Sequence, residues 1–166
     1  MDLNLQLVIS LGGQLDPAMF DGLPGLPVVA KYAPQLELLK RAQIVITHGG
    51  LNTVLETLME GKPMIAIPMA HDQPGVAARL AWLKVAEVLP VDSLSATQLH
   101  SALEKLLNTT NYRDSAMAVQ ARIRSTRGLE RAADVIEETL ERHTRQRGSS
   151  SEESALKQNR NLVTPG

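Results

Sequence analysis

The sequence predicts an α/β fold in which a parallel sheet carries helices on both faces. Three observations carry this expectation. Short apolar runs alternate with amphipathic stretches of helical length along most of the chain. Those runs are mostly apolar throughout, as strands buried on both sides are. Glycine or proline punctuates many of the junctions between the two kinds of segment.

The elements follow in order. Leu5 to Leu11 reads as a first strand that ends in Gly12-Gly13, and residues 14 to 26 read as loop because Gly22, Pro24 and Gly25 crowd it. Pro27 to Lys31 is a second strand. Pro34 to Arg41 is a helix, with the proline suited to its first turn. Gln43 to Thr47 is a third strand, followed by a helix from Gly50 to Glu60 that Gly61 and Pro63 stop. Met64 to Pro68 is a fourth strand. Gln73 to Trp82 or Leu83 is helical, and Ala86 to Pro90 is a fifth strand. Ser95 suits the N-cap of a helix to Leu107, in which Leu99, Leu103, Leu106 and Leu107 recur at helical spacing. Two further helices cover Tyr112 to Ser125 and Leu129 to Arg142. Residues 1–144 therefore form one domain, and the polar stretch 145–166 is expected to be a disordered tail.

Bulk properties narrow the function. The chain has 166 residues, 43% of them apolar, enough for one domain with a core of Leu, Val, Ile, Ala and Met. Lys and Arg number 17 against 18 Asp and Glu, so no basic excess points to nucleic acid or to a purely electrostatic membrane contact. There is no cysteine, hence no disulfide and no thiolate chemistry, which fits a reducing, cytoplasmic setting. No basic leader opens the sequence, and no apolar run approaches the ~20 residues of a spanning helix.

Chemistry-bearing residues gather where the predicted strands end, the place where ligands bind in an open parallel sheet. His48-Gly-Gly-Leu-Asn-Thr53 joins the third strand to a helix. A helix start offers unpaired N–H groups and a partial positive charge, so a phosphate fits there, and the glycines admit it close to the backbone. Glu56 lies one turn further on, sharing a face with Asn52; a carboxylate suits a pair of ribose hydroxyls, and it equally complements the helix dipole. Ser10-Leu-Gly12-Gly13 either faces phosphates or makes a simple turn. Tyr32-Ala33-Pro34-Gln35 offers an aromatic that stacks on a base or merely packs. Asp72-Gln73 after the fourth strand supplies an N-cap or contacts for sugar hydroxyls. Arg79, His100 and His143 read as surface residues, and no His/Asp/Glu set has metal-ligand spacing.

These motifs together resemble the signature of the family 1 glycosyltransferases. Tyr32-Ala-Pro-Gln35, His48-Gly-Gly-Leu-Asn52-Thr53-x-x-Glu56 and Gly61-x-Pro63-x-x-x-x-Pro68-x-x-x-Asp72-Gln73 occur in the family's order and spacing. The wording around them, with Asp-Gln-Pro-Gly-Val-Ala-Ala-Arg79 and Gly128-Leu-Glu-Arg-Ala-Ala-Asp134, is similar to that of bacterial zeaxanthin glucosyltransferases. The resemblance covers about residues 5–142. It implies a Rossmann-like parallel sheet, the C-terminal, donor-binding half of a GT-B fold. It also implies that a UDP-sugar, with glucose as the sugar, is transferred with inversion to a hydroxyl of a lipophilic acceptor such as a carotenoid, with no metal.

By the same resemblance, Tyr32 would stack on the base with Ala33 at its edge, and Gln35 would lie near base or ribose. His48 would bond a phosphate, and Gly50, Asn52 and Thr53 would line the diphosphate. Glu56 would hold the ribose, Asp72 and Gln73 the sugar, and Ser10 and Gly12 would border the diphosphate. The catalytic base would be a histidine of the N-terminal, acceptor-binding half, so this chain would supply no catalytic residue and be inactive alone. Any peripheral membrane contact would come through the full-length protein. Two departures stand out: the family's stacking Trp is Tyr32 here, and the plant motif's Trp is Leu51. Three other readings stay open: a separate donor-binding subunit of a two-chain glycosyltransferase, a GT-B sugar-nucleotide epimerase, and a Rossmann-type regulatory domain without ligand.

Overall fold

A computed structural model describes residues 3–143. Contacts group the chain into two compact units, Met1–Arg122 and Ile123–Gly166. The first unit holds five short strands: β1 (Val8–Ser10), β2 (Val28–Ala30), β3 (Val45–Thr47), β4 (Met64–Ala66) and β5 (Ala86–Val88). The helices are α1 (Gln35–Arg41), α2 (Leu51–Met59), α3 (Gln73–Trp82), α4 (Ala96–Asn108) and α5 (Asn111–Ser125). In the second unit, residues 128–143 are helical and exposed throughout. The polar stretch 145–166 lies outside the described residues.

The α/β architecture with parallel strands is as the sequence predicts, but hydrogen bonds divide the strands into two ladders. β1 pairs with β2, and β3-β4-β5 form a three-stranded sheet; every pairing is parallel. Each strand is shorter than its apolar run. β4, for example, stops before Pro68, which has no N–H to extend a ladder. The segment 14–26, expected as loop, contains a 3-10 turn, Pro17–Phe20, which Asp16 caps by accepting from the Ala18 N–H at 3.0 Å. A second such turn, Val91–Ser93, follows β5.

β4 is the centre of the core. Met64, Ile65 and Ala66 are all 0% exposed, and successive strand side chains point to opposite faces. Ile65 meets Ala102 and Leu106 of α4, with Leu99, Leu103 and Tyr112 packed around them. Right-handed crossovers put the helices that connect the three-stranded sheet on the other face, where α2 touches β3 and α3 touches β5. Val54, Thr57 and Leu58 of α2 and Ala77 and Leu80 of α3 are buried, as right-handed crossovers between parallel strands require. By contrast, no residue from 3 to 34 is fully buried.

Local signals set the helix ends. Ser95 Oγ accepts from the Gln98 N–H at 3.2 Å, the predicted N-cap. At the far end of α2, the Gly61 N–H reaches Leu58 O at 3.0 Å with φ of +65°, a backbone shape that glycine adopts without strain. Gln120 of α5 donates to Met59 O at 2.7 Å and ties this end down. Glu87 of β5 receives Lys105 Nζ at 2.7 Å and the Tyr112 hydroxyl, linking α4 and α5 to the sheet edge. Partial burial and the bond to Glu87 raise the Tyr112 hydroxyl above its ordinary pKa of 10.0, and Lys105 is raised above 10.5, chiefly by its bond to Glu87. Arg79, expected as a solvated charge, lies over the exposed Trp82 ring at 4.2 Å.

Two outcomes follow. Ile65→Ala should lower the unfolding free energy by roughly 2–5 kcal/mol, read from urea denaturation, because it empties the centre of the core. Both Tyr112 and Lys105 hold their protons more tightly in the folded state. Their stabilisation is therefore complete at neutral pH and fades as the pH rises above about 10; urea midpoints at pH 8 and 11 check this, and Tyr112→Phe should reduce the alkaline loss.

Candidate functional site

The site begins at the C-terminal end of β3. Thr47 is buried, and its Oγ1 accepts from the Gly49 N–H at 3.2 Å. Gly49 turns the chain with φ of +87°, a left-handed shape that a side chain would strain. Gly50 then caps α2 from the extended region, with no side chain bonded to the helix start. The first-turn N–H groups of Leu51, Asn52 and Thr53 thus point outward without an intrahelical acceptor. No acidic residue occupies this first turn. His48 folds back over it: a Cβ built on Gly50 would lie 2.6 Å from His48 Nε2. The imidazole is exposed and stands beside a helix N-terminus, a place suited to an anion.

A second group joins α1 to α2. The loop after β2 delivers Tyr32, Ala33 and Pro34, and Gln35 opens α1. Gln35 Nε2 donates to Glu56 Oε2 at 2.5 Å and approaches Thr53 Oγ1 at 3.4 Å. One Glu56 oxygen receives this bond, which leaves Oε1 with two lone pairs able to accept hydroxyl protons. Thr57, fully buried one turn on, donates its hydroxyl to Thr53 O at 2.6 Å and steadies this part of α2.

The loop between β4 and α3 forms the third group. Gln73 Oε1 accepts from the N–H groups of Met69 (2.8 Å) and Ala70 (3.0 Å), clasping the loop from the start of α3. His71 adopts φ of +59° within it. Asp72 stands at the N-cap position, yet its side chain makes no capping bond and is exposed. The clasp therefore comes from Gln73, not from the Asp72 side chain as an ordinary N-cap would supply it. Gln73 also abuts the glycine turn, since a Cβ on Gly49 would lie 3.7 Å from Gln73 O.

Ser10 and Gly12 end the other ladder. Ser10 is the exposed last residue of β1, and Gly12 and Gly13 turn with φ of +66° and +90°. The Tyr32 side chain covers Gly13: a Cβ there would collide with the Tyr32 hydroxyl at 1.9 Å. Tyr32 is nonetheless 73% exposed, so the ring presents a face to solvent. The structure thus brings Gln35, Thr53 and Glu56 together, His48 over Gly50, and Gln73 against the same turn. Among the described residues no hydrogen bond joins Ser10 or Gly12 to His48, Asn52 or Asp72.

Thr47, Gly49 and Gly13 were not among the predicted site residues, although each shapes it. The doubled glycines carried a signal for two of them; the Thr47 bond is visible only once the turn is formed. No group of three or more His, Cys, Asp or Glu placed to hold a metal ion occurs among the described residues. No described helix is long and apolar enough to cross a membrane.

Comparison with known proteins gives this arrangement a context. Residues 13–146 match the family described as UDP-glucoronosyl and UDP-glucosyl transferase. Oleandomycin glycosyltransferase of Streptomyces antibioticus is 36% identical over 141 residues, 84% of this chain and 33% of that protein. Zeaxanthin glucosyltransferase of Pantoea ananas is 36% identical over 115 residues, 68% of this chain and 26% of that protein. Among solved structures, the calicheamicin glycosyltransferase CalG4 superposes with a TM-score of 0.74 at 32% identity, covering 81% of this chain and 35% of that one. The chain thus spans about a third or less of the proteins it matches. Zeaxanthin glucosyltransferase is one of several relatives whose names differ in substrate, and what they share is the glycosyltransferase family.

The His48 contact yields a prediction. Gly50 has φ of −61° and ψ of 131°, open to any residue, so Gly50→Ala should cost no more than about 1 kcal/mol of stability. It should nevertheless push the imidazole aside; a displaced His48 ring-proton resonance with little change in melting temperature is the expected result.

Proposed function

The chain belongs to the UDP-glucoronosyl and UDP-glucosyl transferase family, and from that premise we propose that it is the donor-binding part of an inverting glycosyltransferase that takes its sugar from a UDP-sugar, glucose being the sugar we assign. The observation that carries this reading is the convergence of His48, the open start of α2 and the Gln35–Glu56 pair at the ends of parallel strands. Residues 1–144 constitute the donor-binding domain. The acceptor is a hydroxyl of a lipophilic molecule such as the carotenoid zeaxanthin, and the similarity to zeaxanthin glucosyltransferase supports that assignment. The working protein is cytoplasmic, touching membranes at most peripherally through its other part.

In this reading Tyr32 stacks on the base, with Ala33 at the base edge. Gln35 orients Glu56 so that the carboxylate receives the ribose hydroxyls. The diphosphate lies on Gly50, Asn52 and Thr53 with His48 donating to a phosphate oxygen, and Ser10 and Gly12 border it. Asp72 and Gln73 hold the sugar. When the acceptor hydroxyl attacks the anomeric carbon, the bond to the diphosphate oxygen breaks and negative charge builds on the leaving group. The α2 N–H groups and His48 are already aimed at that charge, so they stabilise it as it forms, with no metal required. Each charge-assisted hydrogen bond contributes roughly 1.5–3 kcal/mol. The proton of the acceptor hydroxyl leaves to a base supplied by the other half of the enzyme.

Titration calorimetry with UDP tests this. The chain should bind UDP, His48→Ala should weaken binding about 10-fold or more, and Glu56→Gln should weaken uridine as well as UDP. Asp72→Asn should leave UDP binding intact and weaken only UDP-glucose. Absence of heat and of any thermal shift with UDP would overturn the proposal. Sugar transfer catalysed by this chain alone would overturn the placement of the base in the other half.

A further inference from the structure

The turn after β1 and the loop after β2 meet at one pair of residues, Gly13 and Tyr32. We propose that Gly13 is a positioning residue for nucleobase binding: its missing side chain leaves the space that seats the Tyr32 ring for a base to stack on. This rests on the reading of Tyr32 as the base-stacking residue and adds the group that sets the ring's place.

Strand register brings the two residues together. β1 and β2 are parallel, with Ser10 beside Ala30. The Leu11 N–H donates to Ala30 O at 3.0 Å and carries the ladder past the end of β1. Two steps beyond that pair come Gly12 on one exit and Tyr32 on the other, so the two connections leave the ladder side by side. Gly12 and Gly13 then turn with φ of +66° and +90°. A Cβ on Gly13 would lie 1.9 Å from the Tyr32 hydroxyl oxygen, 2.2 Å from Cζ and 2.9 Å from Cε2, closer than real Cβ atoms come to other heavy atoms. The phenol therefore occupies the room that a side chain at residue 13 would need.

This contact acts on the pose of the ring more than on the stability of the fold. Tyr32 is 73% exposed, so a side chain at residue 13 could turn the ring away without opening the core. An exposed tyrosine samples several rotamers, and packing on a glycine turn narrows them. A ring already in place binds a flat base with less ordering to do. Three residues on, Gln35 bonds Glu56 at 2.5 Å, so one short segment ties the ring to the carboxylate assigned to the ribose. Other left-handed glycines isolate the contact. Gly22 and Gly25 have φ of +84° and +82°, yet nothing lies within 4 Å of a Cβ built on either. Backbone shape accounts for a glycine at all three positions, and only the ring makes Gly13 intolerant of bulk.

Titration calorimetry with uridine on the full chain tests this. Gly13→Ala should weaken uridine about tenfold, the scale of losing one base–aromatic stack, and Tyr32→Ala should weaken it as much. Gly13→Asn, which tolerates left-handed φ and so strains the backbone less, should act as Gly13→Ala does. Gly25→Ala carries the backbone strain without the contact and should bind uridine as the unaltered chain does. Adding Gly13→Ala to Tyr32→Ala should change nothing further, because the ring through which Gly13 acts is gone. In the ligand-free chain the Tyr32 ring-proton resonances should move in Gly13→Ala and stay in place in Gly25→Ala. Unchanged uridine affinity in the Gly13 variants or in Tyr32→Ala overturns the proposal, and UDP binding by the same proteins then leaves the donor site standing. A further loss in the double variant overturns it too, since residue 13 then acts apart from the ring. An equal loss in Gly25→Ala also overturns it, as an effect of backbone strain alone. Failure of both uridine and UDP to bind the unaltered chain overturns the donor reading and this proposal with it.

Discussion

The complete burial of β4 is the constraint on which the rest of the structure depends. A three-residue strand with no exposed side chain must be covered on both faces and bonded on both edges. That forces helices to cross on either side and makes the neighbouring strands parallel. Parallel strands end on one side, so the connections after β3 and β4 emerge together. The glycine turn, the start of α2 and the Gln73 clasp are neighbours for this reason. The polar site is a by-product of how an apolar strand is hidden.

The site then adds its own polar restraints to this frame. Gln35 reaches from α1 to Glu56 and Thr53 on α2, and Thr47 holds the Gly49 amide. Such bonds fix the direction of acceptor and donor groups in the free chain, which under the proposed donor-binding role would spare the complex some of the ordering cost of binding. They also join the exposed first ladder to the buried three-stranded sheet, through a contact between side chains and not through backbone pairing.

Much of this was legible in the sequence. The Ser95 cap, the proline near the start of α1, the span of α3 and the Gly61 stop are local signals, and local signals survive into the structure. The coincidence of His48, Gly50 and a helix start was equally readable, since adjacency along the chain guaranteed it. What was not legible depends on partners far apart in sequence. The division into two ladders reflects which edges find a neighbour, a property no single apolar run encodes. The seating of the Tyr32 ring on Gly13, and the use of Gln73 in place of the Asp72 side chain to clasp the loop, are decided by tertiary geometry.

The Gln73 clasp has a stereochemical consequence. Two backbone N–H groups converge on one atom of its side-chain amide, and only an oxygen can receive both. The amide therefore has no freedom to flip, and its NH₂ group is the end left to donate. The sense of the amide, with its acceptor on the loop backbone, is set by the fold. An ordinary glutamine thus takes a single orientation because of the backbone it holds.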